Sequence, residues 1–213
     1  MIKILYSKYM DIITFGISSF RIKGKSASIV TDPFDSEISG LKFPKTEADI
    51  VTVSSDLPDH NHTASVSGDF MVIDGPGEYE VKGVEIIGLA HEKNIIFLYK
   101  IDNLTLVHLG DLKEKLNDKE KETLNGADIL MIPVGGGETL SAETASQVIS
   151  QIEPVIIIPM HYKTEKLNSN YAEKLTGVDL FLKQMGKEGI SPLPKFNVTR
   201  DKIPAEPTIV VLE

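Results

Sequence analysis

The hydrophobic pattern of this chain changes character once, close to Asp111, and that change restricts the fold more than any other feature. Before it the sequence reads almost entirely as strand. Asp11–Phe15, Ser19–Ile22, Ala27–Thr31, Asp49–Val53, Phe70–Ile73, Glu78–Val81, Val84–Leu89, Asn94–Lys100 and Leu104–His108 are short runs parted by Gly, Pro and Asp. After it, helix and strand alternate. Asn117 followed by Glu120 has the spacing of a capping box for a helix to about Asn125. Ser141 caps a second helix whose Ala142, Ala145, Val148, Ile149 and Ile152 share a face. Asn170–Met185 reads as a last helix, stopped by Gly186. Ala127–Pro133 and Val155–Pro159 are near-continuous apolar strands, and Thr208–Leu212 is a short closing one. No Pro/Gly/Ser-rich linker separates the two halves. The pattern predicts one domain over residues 1–213, built of two sheets packed together and covered by helices.

The chain has 213 residues, 41% of them hydrophobic, enough for one sizeable core. It contains no cysteine, which removes disulfides, thiolate metal sites and cysteine nucleophiles together. Any transition metal must then be held by His, Asp and Glu. The formal net charge of −9 argues against nucleic acid as a partner, since phosphate binding relies on Lys and Arg. No apolar run has the length of a membrane span, and Met1–Tyr6 is too short for a signal peptide. The expectation is a cytoplasmic protein that meets neither membrane nor nucleic acid.

Just past the Asp49–Val53 strand comes Ser54-Ser55-Asp56-Leu57-Pro58-Asp59-His60-Asn61-His62, which crowds carboxylate and imidazole donors into a few positions. Three further segments put such residues at strand ends: His91, Asp111 and His161. Asn94–Lys100 and Leu104–His108, joined by Ile101-Asp102-Asn103, read as a hairpin whose open end brings His91 near Asp111. Groups gathered at one edge of a β-scaffold suit a ligand or catalytic site. Neutral imidazoles with carboxylates suit zinc, iron or manganese. Each residue also has a plainer reading. Asp59 can cap loop backbone, His161 can be a buried histidine, and Asp111 can end a turn. His108 shares a strand face with Leu104 and Leu106, which suits packing or support of the site. His62 suits an exposed loop, and Asp32 can line the site or cap its own turn. Gly135-Gly136-Gly137 can cradle an anion or simply connect strand to helix, and Lys163 suits the surface.

Ser54–His60, His108-Leu109-Gly110-Asp111, the Asp128–Pro133 strand with its glycines, Pro159-Met160-His161-Tyr162 and Val72–Tyr79 together resemble the metallo-β-lactamase superfamily. The similarity is to its compact branch of zinc-dependent hydrolases related to ascorbate-phosphate lactonase. It implies a four-layer αββα sandwich with a metal site at one edge. It also implies that the family's His-x-His-x-Asp-His loop falls on Ser55, Leu57, Asp59 and His60. One metal would then need His91 and two histidines that this chain lacks. The other would take Asp59, His60 and His161, with Asp111 as a bridging carboxylate. Relatives often carry histidine in the place of Ile17. The resemblance therefore implies at most one divalent metal on Asp59, His60, Asp111 and His161, with Asp59 and Asp111 orienting a nucleophilic water. The implied substrate is a small ester, lactone or phosphoester. The rival expectation is a non-catalytic binding or structural relative with no metal.

Overall fold

The computed structural model describes residues 9–213; Met1–Tyr6, read above for a signal sequence, lies outside them. Strands β1 (Met10–Gly16), β2 (Ser19–Lys23) and β3 (Ser28–Thr31) are antiparallel neighbours, and helix α1 (Ser36–Ser39) follows. Two short strands, β4 (Thr46–Glu47) and β6 (Val66–Ser67), pair with each other, while β5 (Ile50–Thr52) and β7 (Met71–Ile73) extend the first sheet in parallel. Then β8 (Gly77–Val81), β9 (Val84–His91), β10 (Asn94–Ile101) and β11 (Leu104–His108) form an antiparallel meander. Helix α2 (Asp118–Leu124), β12 (Ile129–Pro133), helix α3 (Ala142–Ile152) and β13 (Ile156–Met160) follow. The remaining elements are α4 (Ser169–Ala172), α5 (Val178–Gln184), β14 (Phe196–Val198) and β15 (Thr208–Ile209). The sheets run β14-β1-β2-β3-β5-β7 and β15-β13-β12-β11-β10-β9-β8.

Strict alternation along the strands divides the side chains between layers. Phe97, Tyr99 and Ile101 of β10, Ile129 and Met131 of β12, and Ile156 and Ile158 of β13 face the first sheet. There they meet Ile12, Phe20, Ile22, Ile29 and Ile50. Ile96, Leu98, Leu130, Ile132 and Ile157 point the other way, onto Leu124, Ala145, Val148, Ile152 and Phe181 of the helices. On the outer face of the first sheet, Val30 and Val51 pack under Phe34, Phe43 and Val66. Four layers result, as expected, although the outer cover of the first sheet is mostly loop with the short α1 and α4. A hydroxyl pair, Thr52 Oγ1 and Tyr99 Oη at 2.7 Å, joins the two sheets inside this core.

Local chemistry explains the boundaries. Asp102 and Asn103 both have left-handed φ (53° and 64°), the two-residue turn that closes β10 onto β11. The Asn117/Glu120 capping box forms in both directions, and Ser141 Oγ accepts the Thr144 N–H. One expectation fails. Asn170–Met185 is not a single helix but α4 and α5, separated at Thr176-Gly177. Thr176 donates both its N–H and its hydroxyl to the Gly135 carbonyl, and its own carbonyl accepts the Lys163 N–H. Those tertiary bonds outweigh the helical preference of the segment. Strands β4, β6 and β14 were not anticipated, being only two or three residues long, and the closing strand is confined to Thr208–Ile209.

The glycine run is mostly architecture. A Cβ on Gly135 would overlap the His161 carbonyl oxygen and lie 2.9 Å from Tyr162 Cα, so the ends of β12 and β13 meet only because Gly135 has none. Gly136 spends its N–H on the Leu140 carbonyl. Replacing Gly135 by alanine should therefore cost about 1–3 kcal/mol through backbone displacement. Gly136→Ala has open space and should lose only about 1 kcal/mol, from its φ of 70°. Equilibrium urea unfolding would rank the two. The same measurement checks the helix break: Phe181→Ala removes a fully buried ring of α5 and should cost about 3–5 kcal/mol. Leu180→Ala, at a half-exposed neighbour, should change stability by less than about 0.5 kcal/mol.

Candidate metal centre

Parallel strands deliver the polar residues to one edge. Asp32 follows β3, the Asp59-His60 loop follows β5, Asp111 follows β11 and His161 follows β13, each beyond a C-terminal strand end. His60, Asp111 and His161 each present one ligand atom, and the three atoms lie within 4.8 Å of one another. All three residues are buried.

His60 is the centre of the arrangement. Its Nδ1 lies 3.0 Å from Asp59 Oδ1, which fixes the ring. Its Nε2 is buried without a hydrogen-bond partner, and Asp32 Oδ2 is 3.9 Å away. Burial opposes charge on this imidazole. The Asp59 bond and the carboxylates of Asp32 and Asp111 outweigh it and raise its pKa to about 9. Burial likewise pushes Asp111 up to about 6, and burial together with His60 lowers His161 to about 3. Asp59 goes the other way: against burial, its bonds to His60 and Tyr171 hold it far below the usual carboxylate range. Several carboxylates thus face this imidazole, a setting that favours positive charge, carried by the ring's own second proton below about pH 9 and replaceable by a bound cation.

Tyr171, from α4, closes a ring with these groups. Its hydroxyl donates to Asp59 Oδ2 at 2.6 Å and lies 3.0 Å from His161 Nε2. With that proton directed at Asp59, the Tyr171 oxygen can accept from His161 Nε2–H. His161 Nδ1 then keeps its lone pair, 3.3 Å from Ser18 Oγ and 3.7 Å from Asp111 Oδ1. Both Asp59 oxygens are engaged, and Asp59 stands beside the three-residue group rather than in it. His60, Asp111 and His161 fit a divalent ion by two criteria: the orphaned Nε2 and a donor set of two imidazoles and a carboxylate.

The remaining sequence candidates have separate places. His108 donates from Nε2 to the Ser18 carbonyl at 2.8 Å and accepts the Gly110 N–H on Nδ1, so it is a neutral, buried brace. Burial lowers its pKa, in keeping with that state. His91 turns its Nδ1 to Glu120 Oε1 at 2.9 Å, joining the capping box of α2. It also lines, with Ser55, Leu57, Asn94, Asp111 and Lys113, a cavity of about 620 Å³ beside the cluster. His62 is partly exposed on its loop, 3.9 Å from Asp35, and Lys163 is exposed. Asp32 is fully buried and accepts the N–H and hydroxyl of Ser54 at 2.7 and 2.6 Å. Asn94 holds the Asp111 loop, accepting the Asp111 N–H and donating to the Leu109 carbonyl. Tyr171, Ser18, Asn94 and Glu120 were not foreseen as partners of the site. Of these only Glu120 carried a local signal, and that signal was helical.

Backbone strain collects here as well. Ile17, Asp32 and His161 all have left-handed φ, at 55°, 40° and 53°. For a β-branched residue such as Ile17 this is a genuine outlier, and such positions cluster at functional sites. The His161 N–H donates to the Ile17 carbonyl at 2.8 Å, tying two of the strained residues together.

Residues 11–161 match the family described as the beta-lactamase superfamily domain. A crystal structure from Thermotoga maritima, provisionally described as a Zn-dependent hydrolase of the metallo-beta-lactamase superfamily, is 35% identical with a TM-score of 0.81. That match covers 96% of this chain and 99% of the other. A UPF0173 metal-dependent hydrolase of Thermoplasma acidophilum is 24% identical over 189 residues, 73% of this chain and 84% of the relative. One from Carboxydothermus hydrogenoformans is 34% identical over 68 residues, 32% of this chain. There the match spans only 30% of the relative's length. Among the described residues no helix is long and apolar enough to cross a membrane. Fold, strand-end site and whole-chain similarity agree, and the chain belongs to the metallo-β-lactamase superfamily.

Proposed function

We propose that this protein is a metal-dependent hydrolase that works with a single divalent metal, zinc in the first instance, on a small ester, lactone or phosphoester. The observation that carries the reading is the buried, partnerless Nε2 of His60 within reach of Asp111 and His161. Such a metal would lower the pKa of a water molecule and polarise the substrate's oxygen. His60, Asp111 and His161 would hold it, and Asp59 would aim His60 by accepting at Nδ1, a support that typically matters about 10–100-fold in metal affinity. The carboxylate of Asp111 would orient the water that adds to the carbonyl or phosphoryl centre and accept its proton, while Asp59, with both oxygens engaged by His60 and Tyr171, would act only through His60. The bond to the leaving oxygen would then break, and that oxygen would take up the proton that Asp111 received from the water. Against a second metal stand the residues facing the neighbouring cavity: Ser55 is a poor ligand and Leu57 is none, so His91, held through Nδ1 by Glu120, is left without a second imidazole among the residues lining it.

The second reading is a binding protein without catalysis. The closed ring of Asp59, Tyr171 and His161, whose polar atoms satisfy one another without an ion, favours it. Metal analysis separates the two. Protein purified without chelator should carry about one equivalent of zinc, manganese or iron. Saturating zinc at about 100-fold over its Kd should raise Tm by about 5–10 °C, the effect of about 2.7 kcal/mol on a domain of this size. His60→Ala, Asp111→Ala and His161→Ala should each abolish the shift, and Asp59→Asn should weaken binding about 10–100-fold. Absence of both metal and shift in the unaltered protein would favour the binding protein. In a further test, Ser55→His with Leu57→His should raise the metal content toward two equivalents if the cavity is otherwise preorganised. Unchanged content would mean its geometry has departed from that of two-metal relatives.

A further inference from the structure

The cavity beside the cluster holds a cation that the single-metal reading leaves unused. Lys113 lies two residues beyond Asp111, with the fully buried Leu112 anchoring the chain between them. Its Nζ is 3.9 Å from Asp111 Oδ2 and 3.8 Å from Glu138 Oε2, distances of ion pairing rather than hydrogen bonding. The ammonium therefore faces two carboxylates while its three N–H donors remain available. Two other polar groups around the cavity are engaged. Asn94 uses its amide group on Leu109 and Asp111, and His91 Nδ1 is taken by Glu120. Lys93 also lines the cavity, as does Asp56, which accepts from the Asn61 amide.

We propose that Lys113 is the anion-binding residue of this cavity, taking a carboxylate oxygen of a small organic acid or its ester beside the His60–Asp111–His161 cluster. The proposal rests on the functional reading above and narrows it to carboxylate-bearing substrates or products. In a chain of net charge −9, a small anion is held only where a local cation outweighs the overall field. One ammonium already facing Asp111 and Glu138 suits a single negative charge. A phosphate dianion would meet those two carboxylates, and Glu92 on the rim, with twice the repulsion. Lys113 is half exposed, so its side chain can turn from Glu138 to an incoming oxygen without unpacking the core.

The test is acetate binding to the full chain, followed by NMR in zinc-loaded and metal-free protein side by side. Lys113→Met should weaken acetate about tenfold or more, the loss expected for one charge-assisted hydrogen bond. Lys113→Arg should largely retain it, and Glu138→Gln, which releases the ammonium from a competitor, should tighten it. A merely structural lysine would not give shifts of opposite sign at these two positions. Equal affinity in all variants, acetate bound only through zinc, or no acetate binding by the unaltered protein would each overturn the proposal. Zinc content measured on the same samples keeps the two ideas apart. Loss of zinc with the Lys113 effect intact counts against the hydrolase reading alone, and retained zinc without a Lys113 effect counts against the lysine alone.

Discussion

A buried imidazole nitrogen with no partner, surrounded by carboxylates, is the constraint on which the rest of this site depends. Leaving a buried polar atom unsatisfied is costly, and gathering Asp32, Asp59 and Asp111 around one ring adds electrostatic repulsion. A protein built only for stability would exchange such a group for apolar packing. Here the scaffold instead invests several elements in holding it. Asp59 grips the ring from Nδ1, Ser54 ties down Asp32, and Asn94 ties down the Asp111 loop. The same arrangement that is unfavourable without a cation becomes complementary once one is bound, because every carboxylate then faces positive charge.

The scaffold achieves this through strand direction. Parallel neighbours β3 and β5 in one sheet, and β11, β12 and β13 in the other, end at a common edge, so the residues that follow them converge without long excursions. Gly135 sets the last distance, letting the loop after β12 touch the backbone of His161. The His108 brace reaches from the end of β11 to the Ser18 carbonyl and so connects the second sheet to the β1–β2 turn of the first. Packing and site geometry are therefore coupled: a shift between the sheets would move Asp111 and His161 relative to His60.

Much of this was legible in the sequence, for reasons that are local. Alternating β-branched runs, the Asp102-Asn103 turn and the Asn117/Glu120 capping box are determined by near neighbours, and the structure repeats them. His60, Asp111 and His161 could be singled out because each closely follows a strand. What could not be read depends on partners distant in the chain. Tyr171 reaches Asp59 across 112 positions, and nothing around it distinguishes it from a surface tyrosine of a helix. The division of α4 from α5 is made by the Gly135 carbonyl, again remote. His91 looked like a ligand left without companions; its Nδ1 was already given to Glu120, and that link between a strand end and a helix cap has no signature in spacing.

The strained backbone follows from the same demand. Ile17, Asp32 and His161 adopt left-handed conformations that cost of order 1–3 kcal/mol each for side-chain-bearing residues. Each is over-determined by neighbours: His161 N–H by the Ile17 carbonyl, Asp32 N–H by Thr52, and the Asp32 carboxylate by Ser54. Relaxing any one of them to an extended conformation would redirect its side chain. For Asp32 and His161 that means withdrawing a carboxylate or an imidazole from the neighbourhood of His60. The unfavourable dihedrals are thus the geometric condition for bringing these groups to one face of a buried ring. They oppose stability at the same positions where they aim the chemistry, which is the pattern expected when a fold is shaped around a site rather than a site placed on a finished fold.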